Sequence, residues 1–305
     1  MSDSRHNNLG TLMDNVKGIL LIVASMAAFS LEDMFIKRLL DSVSTGQIMV
    51  VLGVVCGLLL TALSIATRKR IFDPMAWQVL PLARAASEGL GAIAFVTALA
   101  VVELSTVAAV FQATPLAVTM GAALFLGEQV GWRRWCAIGV GFIGVMIIIR
   151  PGLAGFQPEA LFVVASVVAI AARDLITRKL DSRVATSVVA LQAYVAVGVI
   201  GVILATFSAQ PFTPIQSDQI GFYIGAIGFG VLGYCGIVVA MRTGEASALT
   251  PFRNTRLVFS IAAGMLMFGE RPDFLTLTGA VLIIGSGMYT YFRERKLAQA
   301  FLVSG

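Results

Sequence analysis

The sequence predicts an all-α, polytopic membrane protein of ten transmembrane helices, arranged as two inverted five-helix repeats. Three observations predict it. The first is composition: of 305 residues, 58% are apolar and only 13% are charged, against about 45–50% and about 25% in soluble domains. The second is that the apolar residues gather into ten runs near the length a helix needs to cross a bilayer, roughly 20 residues. The third is that the second half of the chain repeats the first, with five runs in each half. Five is odd, so the second copy must enter the bilayer from the opposite side. This composition excludes a disordered chain, a collagen-like repeat and a disulfide-rich secreted module.

Residues 1–15 are polar and read as a cytoplasmic tail. The run that follows is too long for a signal-peptide core and has no small-residue cleavage site, so it reads as a retained span. The spans fall at 16–36, 46–66, 78–101, 104–126, 132–149, 157–177, 184–207, 219–241, 247–268 and 274–292. The first repeat then occupies 16–150 and the second 151–292, with a cytoplasmic tail at 293–305. Orientation follows from the basic residues, which concentrate in cytoplasmic loops. With the N-terminus inside, fourteen lie on the cytoplasmic side, among them Arg68, Lys69, Arg70, Arg133, Arg134, Arg178, Lys179 and Arg242, and four lie outside: Lys37, Arg38, Arg150 and Arg271. The even number of spans puts both termini in the cytoplasm, and the net charge of +5 reads as a topology signal with no nucleic-acid partner.

The repeat is legible residue by residue. At a spacing of 141, Ala24/Ala165, Ser25/Ser166, Asp33/Asp174 and Leu39/Leu180 coincide. At a spacing of 142, Glu103/Glu245, Ser105/Ser247, Leu124/Leu266, Gly127/Gly269 and Glu128/Glu270 coincide. Inverted repeats suit secondary transporters, in which two mirrored halves rock around a site at the midplane. The stretches LSTVAAVFQATPLAVTMGAALFLGEQ and SALTPFRNTRLVFSIAAGMLMFGER, each with its continuation, resemble the EamA domain of the drug/metabolite transporter superfamily; the GE doublet closing spans four and nine is its clearest mark. That resemblance implies ten helices, cytoplasmic termini, a central cavity between the halves and a multi-pass protein of the bacterial inner membrane.

Ionisable side chains within a bilayer are costly and mark a cavity or a partner. Here they are Glu32, Asp33, Arg84, Glu88, Arg173, Asp174, Arg253 and Arg256, four acids and four bases. Arg84 and Glu88 are spaced i, i+4 and can bridge on one helix face; a local ion pair and a cavity lining are compatible readings. Arg253 and Arg256 also share a face, with Asn254 between them. At the spacing of 142 their counterparts are Phe111, Gln112 and Thr114, so one half presents an aromatic ring and an amide where the other presents cations. An arginine fork can hold a carboxylate or phosphate, or it can pair with Glu88 or Asp33. Asp33 and Asp174 are candidate coupling carboxylates, or anchors of helix ends beside Lys37 and Arg173. Glu128 and Glu270 each follow a helix-ending glycine and can favour the N-terminus of the next helix. Pro115 predicts a bend in span four. The glycines of span eight predict close helix packing, and Phe95, Phe111, Tyr194 and Tyr234 are candidate walls for a ring-bearing substrate.

Enzymatic chemistry finds no support. The single histidine, His6, lies in the tail; there is no phosphate-binding glycine loop, and Cys56, Cys136 and Cys235 have no metal-ligand spacing. No cofactor or metal is expected, and the partners expected are a small-molecule substrate and the bilayer. A channel is the remaining alternative to a carrier. Within the resembled family, the wording PFRNTRLVF…FGERPD (251–273) is similar to bacterial members that handle riboflavin, S-adenosylmethionine or amino acids. Riboflavin uptake is the narrower expectation: its flat ring could stack on Phe111 and Tyr234, with Arg253, Arg256 and Gln112 at its polar edge. Import against export, the coupling ion and the oligomeric state stay open at the level of sequence.

Overall fold

A bilayer offers no water to backbone N–H and C=O groups, so each apolar run must satisfy them internally as a helix. The computed structural model follows that rule. It describes residues 2–152, 156–181, 183–207, 212–243 and 249–304; the side chains of 2–15, 241, 242, 250 and 294–304 lie outside the description. Glu245 and Ser247, matched above to Glu103 and Ser105, lie outside it, as do the side chains of Arg5, His6, Arg242, Arg295 and Lys296.

The helices are α1 (Ser2–Leu40), α2 (Thr45–Ala66), α3 (Val79–Val101), α4 (Leu104–Phe111), α5 (Thr114–Phe125), α6 (Trp132–Ile149), α7 (Leu161–Thr177), α8 (Thr186–Phe207), α9 (Ser217–Thr243), α10 (Thr255–Phe268) and α11 (Phe274–Ser304), with a 3-10 turn at Thr250–Asn254. Among the described residues nine segments are long and apolar enough to cross a membrane. The tenth predicted span, 247–268, consists over its described part of the 3-10 turn followed by the 14-residue α10. Both polar tails continue the helices of their neighbouring spans.

Helix pairing obeys the repeat. Helix α1 packs on α9 and α7 packs on α3, which are the same contact in the two halves. The pairs α2 with α8, α6 with α11, and α4 with α10 each join a span to its own counterpart. The α2–α8 contact is close because glycines face each other: a Cβ on Gly53 would lie 2.6 Å from the Gly198 backbone. Buried amides tie loops to this pair. The Gln47 side chain donates to the Thr213 carbonyl at 2.7 Å and accepts from the Thr213 N–H at 3.0 Å, and Gln192 donates to the Ala76 carbonyl at 2.6 Å.

The glycine-rich α9 receives one face of α1. Phe35, Glu32, Phe29 and Ser25 lie against Gly225, Gly230, Gly233 and Gly236. Small residues on one helix thus form the groove for large ones on the other, the packing expected where lipid supplies no hydrophobic drive.

Candidate functional site

Two helices break within their spans, and the breaks meet. Proline cannot donate to the preceding turn, and span four stops at Phe111 and restarts at Thr114, with Pro115 in the first turn of α5. Span nine changes from the 3-10 turn to α10 at Asn254. In each break a threonine hydroxyl donates at 2.6 Å to the carbonyl three residues back: Thr114 to Phe111, whose carbonyl Pro115 leaves without its helical donor, and Thr255 to Phe252, which also accepts the Thr255 N–H. These matched caps relate the breaks at a spacing of 141, one less than the GE doublets. The counterparts of Phe111, Gln112 and Pro115 are therefore Phe252, Arg253 and Arg256. This corrects the pairing expected from sequence, while the contrast of an amide with cations survives. The Gln112 amide donates to the Asn254 side-chain oxygen at 3.1 Å, joining the breaks across the interface of the repeats.

Arg256 leaves this junction for α1. Its guanidinium donates to Asp33 at 2.7 Å, and Asp33 is 4% exposed. The rings of Phe29, Phe95 and Phe111 surround the same guanidinium with centroids at 5.4, 6.0 and 5.6 Å, a cation–π arrangement. Phe95 meets Phe111 edge-on at 5.1 Å. Ser30 donates to the Arg256 carbonyl at 3.0 Å and lies 3.0 Å from the Ser260 hydroxyl. Asp33 thus belongs to an interior ion pair and is no anchor beside Lys37; burial makes the arginine its necessary partner.

A second cluster forms between α3 and α7. Glu88 receives Arg84 at 3.2 Å and Arg173 at 2.9 Å, and Arg173 also holds Asp174 at 2.7 Å. The i, i+4 bridge expected for Arg84 and Glu88 is present, and Arg173 extends it. Tyr234 lies on this side, within reach of the charges of Arg84 and Glu88. It is therefore grouped with these charges, apart from the Phe95–Phe111 wall. Tyr194 contacts Cys56 instead. Arg253 lies within the electrostatic reach of both clusters, with Asp174, Arg256 and Arg173 the charges that act on it; it is exposed and has no ion-pair partner among the described residues. Gln112, Asn254, Arg253, Arg256, Phe111 and Asp33 thus form one group; Arg84, Glu88, Asp174 and Tyr234 form its neighbour.

The GE doublets do more than sequence suggested. Glu270 does not cap the helix that follows it; Asp273 does, accepting from the Thr276 N–H at 2.9 Å. The Glu270 side chain crosses to the other repeat, where it accepts from the N–H groups of Leu104 and Ser105 at 2.6 and 3.0 Å and from the Ser105 hydroxyl at 2.8 Å. It thereby caps α4, whose first N–H groups have no partner of their own. Lys37 approaches Glu270 at 3.8 Å and donates to the carbonyls of Leu99 and Val102 at 3.1 and 2.5 Å. This clasp borders a depression of about 540 Å³ lined also by Glu103, Phe268 and Arg271. Burial, then the charges of Glu270 and Asp273, push the Glu103 carboxyl up. Asp273 is held down to about 2 by its hydrogen bond from Arg150. The mirror clasp is Arg178 with Glu128 at 2.8 Å, at the other end of the bundle. Lys37 and Glu270 are 14% and 5% exposed; Arg178 and Glu128 are 49% and 44% exposed.

Sequence reasoning noted Glu32 as a charge but gave it no place in the site. It is half-buried and lies against Gly230, with no hydrogen-bond or ion-pair partner among the described residues. The signal was available: Glu32 is the repeat counterpart of Arg173 at the spacing of 141, an acid where the other half has a base.

Comparison with known proteins agrees with this architecture. The sequence matches the EamA-like transporter family twice, over residues 16–150 and 157–292. It is 31% identical to an S-adenosylmethionine uptake transporter of Rickettsia conorii over 65% of this chain and 66% of that one. It is 30% identical to a riboflavin transporter of Rhizobium johnstonii over 70% of each chain, and 30% identical to a riboflavin transporter of Vibrio cholerae over 62% of this chain and 63% of that one. The chain thus matches about two-thirds of the length of these relatives. A solved crystal structure superposes with a TM-score of 0.57 over 95% of this chain and 99% of that one at 19% identity, which shows the fold alone. With both halves of the sequence matched, the chain belongs to the EamA-like transporter family of the drug/metabolite transporter superfamily.

Proposed function

We propose that this protein is a secondary carrier of a small organic metabolite, working by alternating access in the bacterial inner membrane with both termini cytoplasmic. One observation carries the reading. Two helices break within their spans, their broken ends join through Gln112 and Asn254, and an exposed arginine without an ion-pair partner among the described residues lies beside them. Discontinuous helices at the interface of two repeats are where carriers bind their substrates. Arg253 supplies a donor fork for an acceptor-rich edge or a carboxylate, and the Phe95–Phe111 pair supplies an apolar wall.

Riboflavin uptake is the first reading of the substrate, since its flat ring suits the wall and its carbonyl-bearing edge suits Gln112 and Arg253. S-adenosylmethionine is the second, favoured by Arg253, whose fork matches its carboxylate. Counterflow in proteoliposomes tests both. Unlabelled substrate inside should accelerate entry of labelled riboflavin or labelled S-adenosylmethionine, whichever is carried, because exchange needs a carrier cycle. Equal entry with and without internal substrate means a channel, and entry of neither removes both substrates. Arg253→Ala should abolish exchange at unchanged membrane levels; exchange at the wild-type rate would remove Arg253 from the site.

A further inference from the structure

The inverted repeat places one contact twice, with different chemistry in each copy. Where α7 packs on α3, Arg173 donates to Glu88 at 2.9 and 3.1 Å, and the charge of each is met. Where α1 packs on α9, the counterpart of Arg173 is Glu32, and the residue beneath it is Gly230. Gly230 lies 142 residues after Glu88, one of the two spacings that relate the halves. A Cβ on Gly230 would lie 2.6 Å from one Glu32 carboxylate oxygen and 3.2 Å from the other, so the carboxylate rests directly on the α9 backbone. One copy of the contact has its counter-charge built in, and the other has a carboxylate on bare backbone.

The groups around Glu32 do not supply that charge. Asp33, next on α1, is itself an acid, and it holds the Arg256 guanidinium that α10 brings near. From α2 comes the Cys56 thiol and from α8 the Tyr194 hydroxyl, which contact each other and are both neutral in their ordinary state. From α9 comes the Gly230 backbone, and no described residue of that helix makes a hydrogen bond or ion pair with Glu32. An ionised carboxylate without a partner at this depth is costly, and intramembrane carboxylates in that position serve as proton relays.

We propose that Glu32 is a proton-binding group of the transport cycle. The carboxylate takes one proton from the side of higher proton activity, becomes a neutral acid, crosses between the two access states in that form and releases the proton on the other side. Substrate entering in the same half-cycle then moves with the proton. The link to substrate rests on the carrier reading given above; protonation of Glu32 does not.

Two measurements separate the ideas. Dicyclohexylcarbodiimide reacts with protonated carboxyls in apolar surroundings, and peptide mass spectrometry locates the adduct. In the purified wild-type protein the adduct is expected at Glu32 in acidic buffer and lost in alkaline buffer. It should be absent from Glu32→Gln and retained at Glu32 in Arg84→Gln. A wild-type protein without an adduct at Glu32 in acidic buffer overturns the proposal, whether or not any variant folds. In proteoliposomes, an inward proton gradient should drive uptake of riboflavin or S-adenosylmethionine by the wild type, and Glu32→Gln should lose that gradient-driven component. Uptake that responds to the gradient as strongly in Glu32→Gln as in the wild type overturns the proposal. So does protection of Glu32 by S-adenosylmethionine without gradient-driven uptake, since the positive charge would then come from the substrate. If neither compound is exchanged, the substrate reading fails while the adduct still decides Glu32.

Discussion

At the scale of single residues, the site is a set of charges separated by who meets whom. Asp33 and Arg256 satisfy each other in the interior, so removing one strands the other. Losing one partner of a buried pair costs about 3–5 kcal/mol. Asp33→Asn should therefore lower the melting temperature in detergent, and the double variant Asp33→Asn/Arg256→Gln should recover much of the loss. Strictly additive losses would mean that the two do not interact. The Arg150–Asp273 pair behaves differently because it is half in water: Asp273 is 48% exposed, which limits the contribution to about 1 kcal/mol. Its carboxyl is lowered to about 2 in the folded protein. The stabilisation is then full above the ordinary aspartate range and fades as pH falls toward 2. Melting curves of Arg150→Gln and wild type should differ at neutral pH and converge under strong acid. The residue types were legible in the sequence because charges are scarce in a membrane chain. Their partners were not, since Arg256 had two candidate acids, Glu88 and Asp33, and only the packing of α10 on α1 selects Asp33.

At the scale of elements, local sequence explains each break to a different degree. Pro115 announced the interruption of span four. Span nine carries Pro251 near its start and a polar FRNT stretch after it; the sequence read this as continuous helix because charged side chains interrupt nothing by themselves. The helix pairs rest on glycine contacts that can be tested singly. Gly53→Val would drive side-chain atoms into the Gly198 backbone and should cost about 1–3 kcal/mol, as overpacking does. Gly221→Ala faces open space and should hold or slightly raise the melting temperature, since alanine gains about 0.4–1 kcal/mol at a compatible helical site. A Gly53→Val protein no less stable than Gly221→Ala would mean that the close approach of α2 to α8 carries no such constraint.

At the scale of the molecule, the duplication was legible as two nearly constant spacings, and the all-α fold followed from length and hydropathy. What spacing could not reveal is that the halves exchange contacts. Glu270 belongs to the second repeat and caps a helix of the first, and Lys37 and Arg178 are counterparts that clasp opposite ends of the bundle. If the halves rock, these ends must open in turn. Linking Cys substitutions at Lys37 and Glu270 with a cleavable bifunctional reagent, after replacing the three native cysteines, should abolish exchange. Reduction of the linker should restore it. Exchange that persists in the linked protein would mean this end does not move during transport.

The unequal exposure of the two clasps bears on how the protein meets ligand from its two faces. An exposed pair contributes about 0–1 kcal/mol, whereas hydrogen bonds to a charged group contribute about 1.5–3 kcal/mol each. A difference of about 2 kcal/mol weights a two-state equilibrium by roughly thirtyfold. On the proposed cycle, the conformer open at the Lys37 end is then a minority of the resting population. A ligand approaching there finds few competent molecules, and its apparent dissociation constant rises by the reciprocal of that fraction. The same site, with the same contacts, would thus look tight from one face of the membrane and weak from the other.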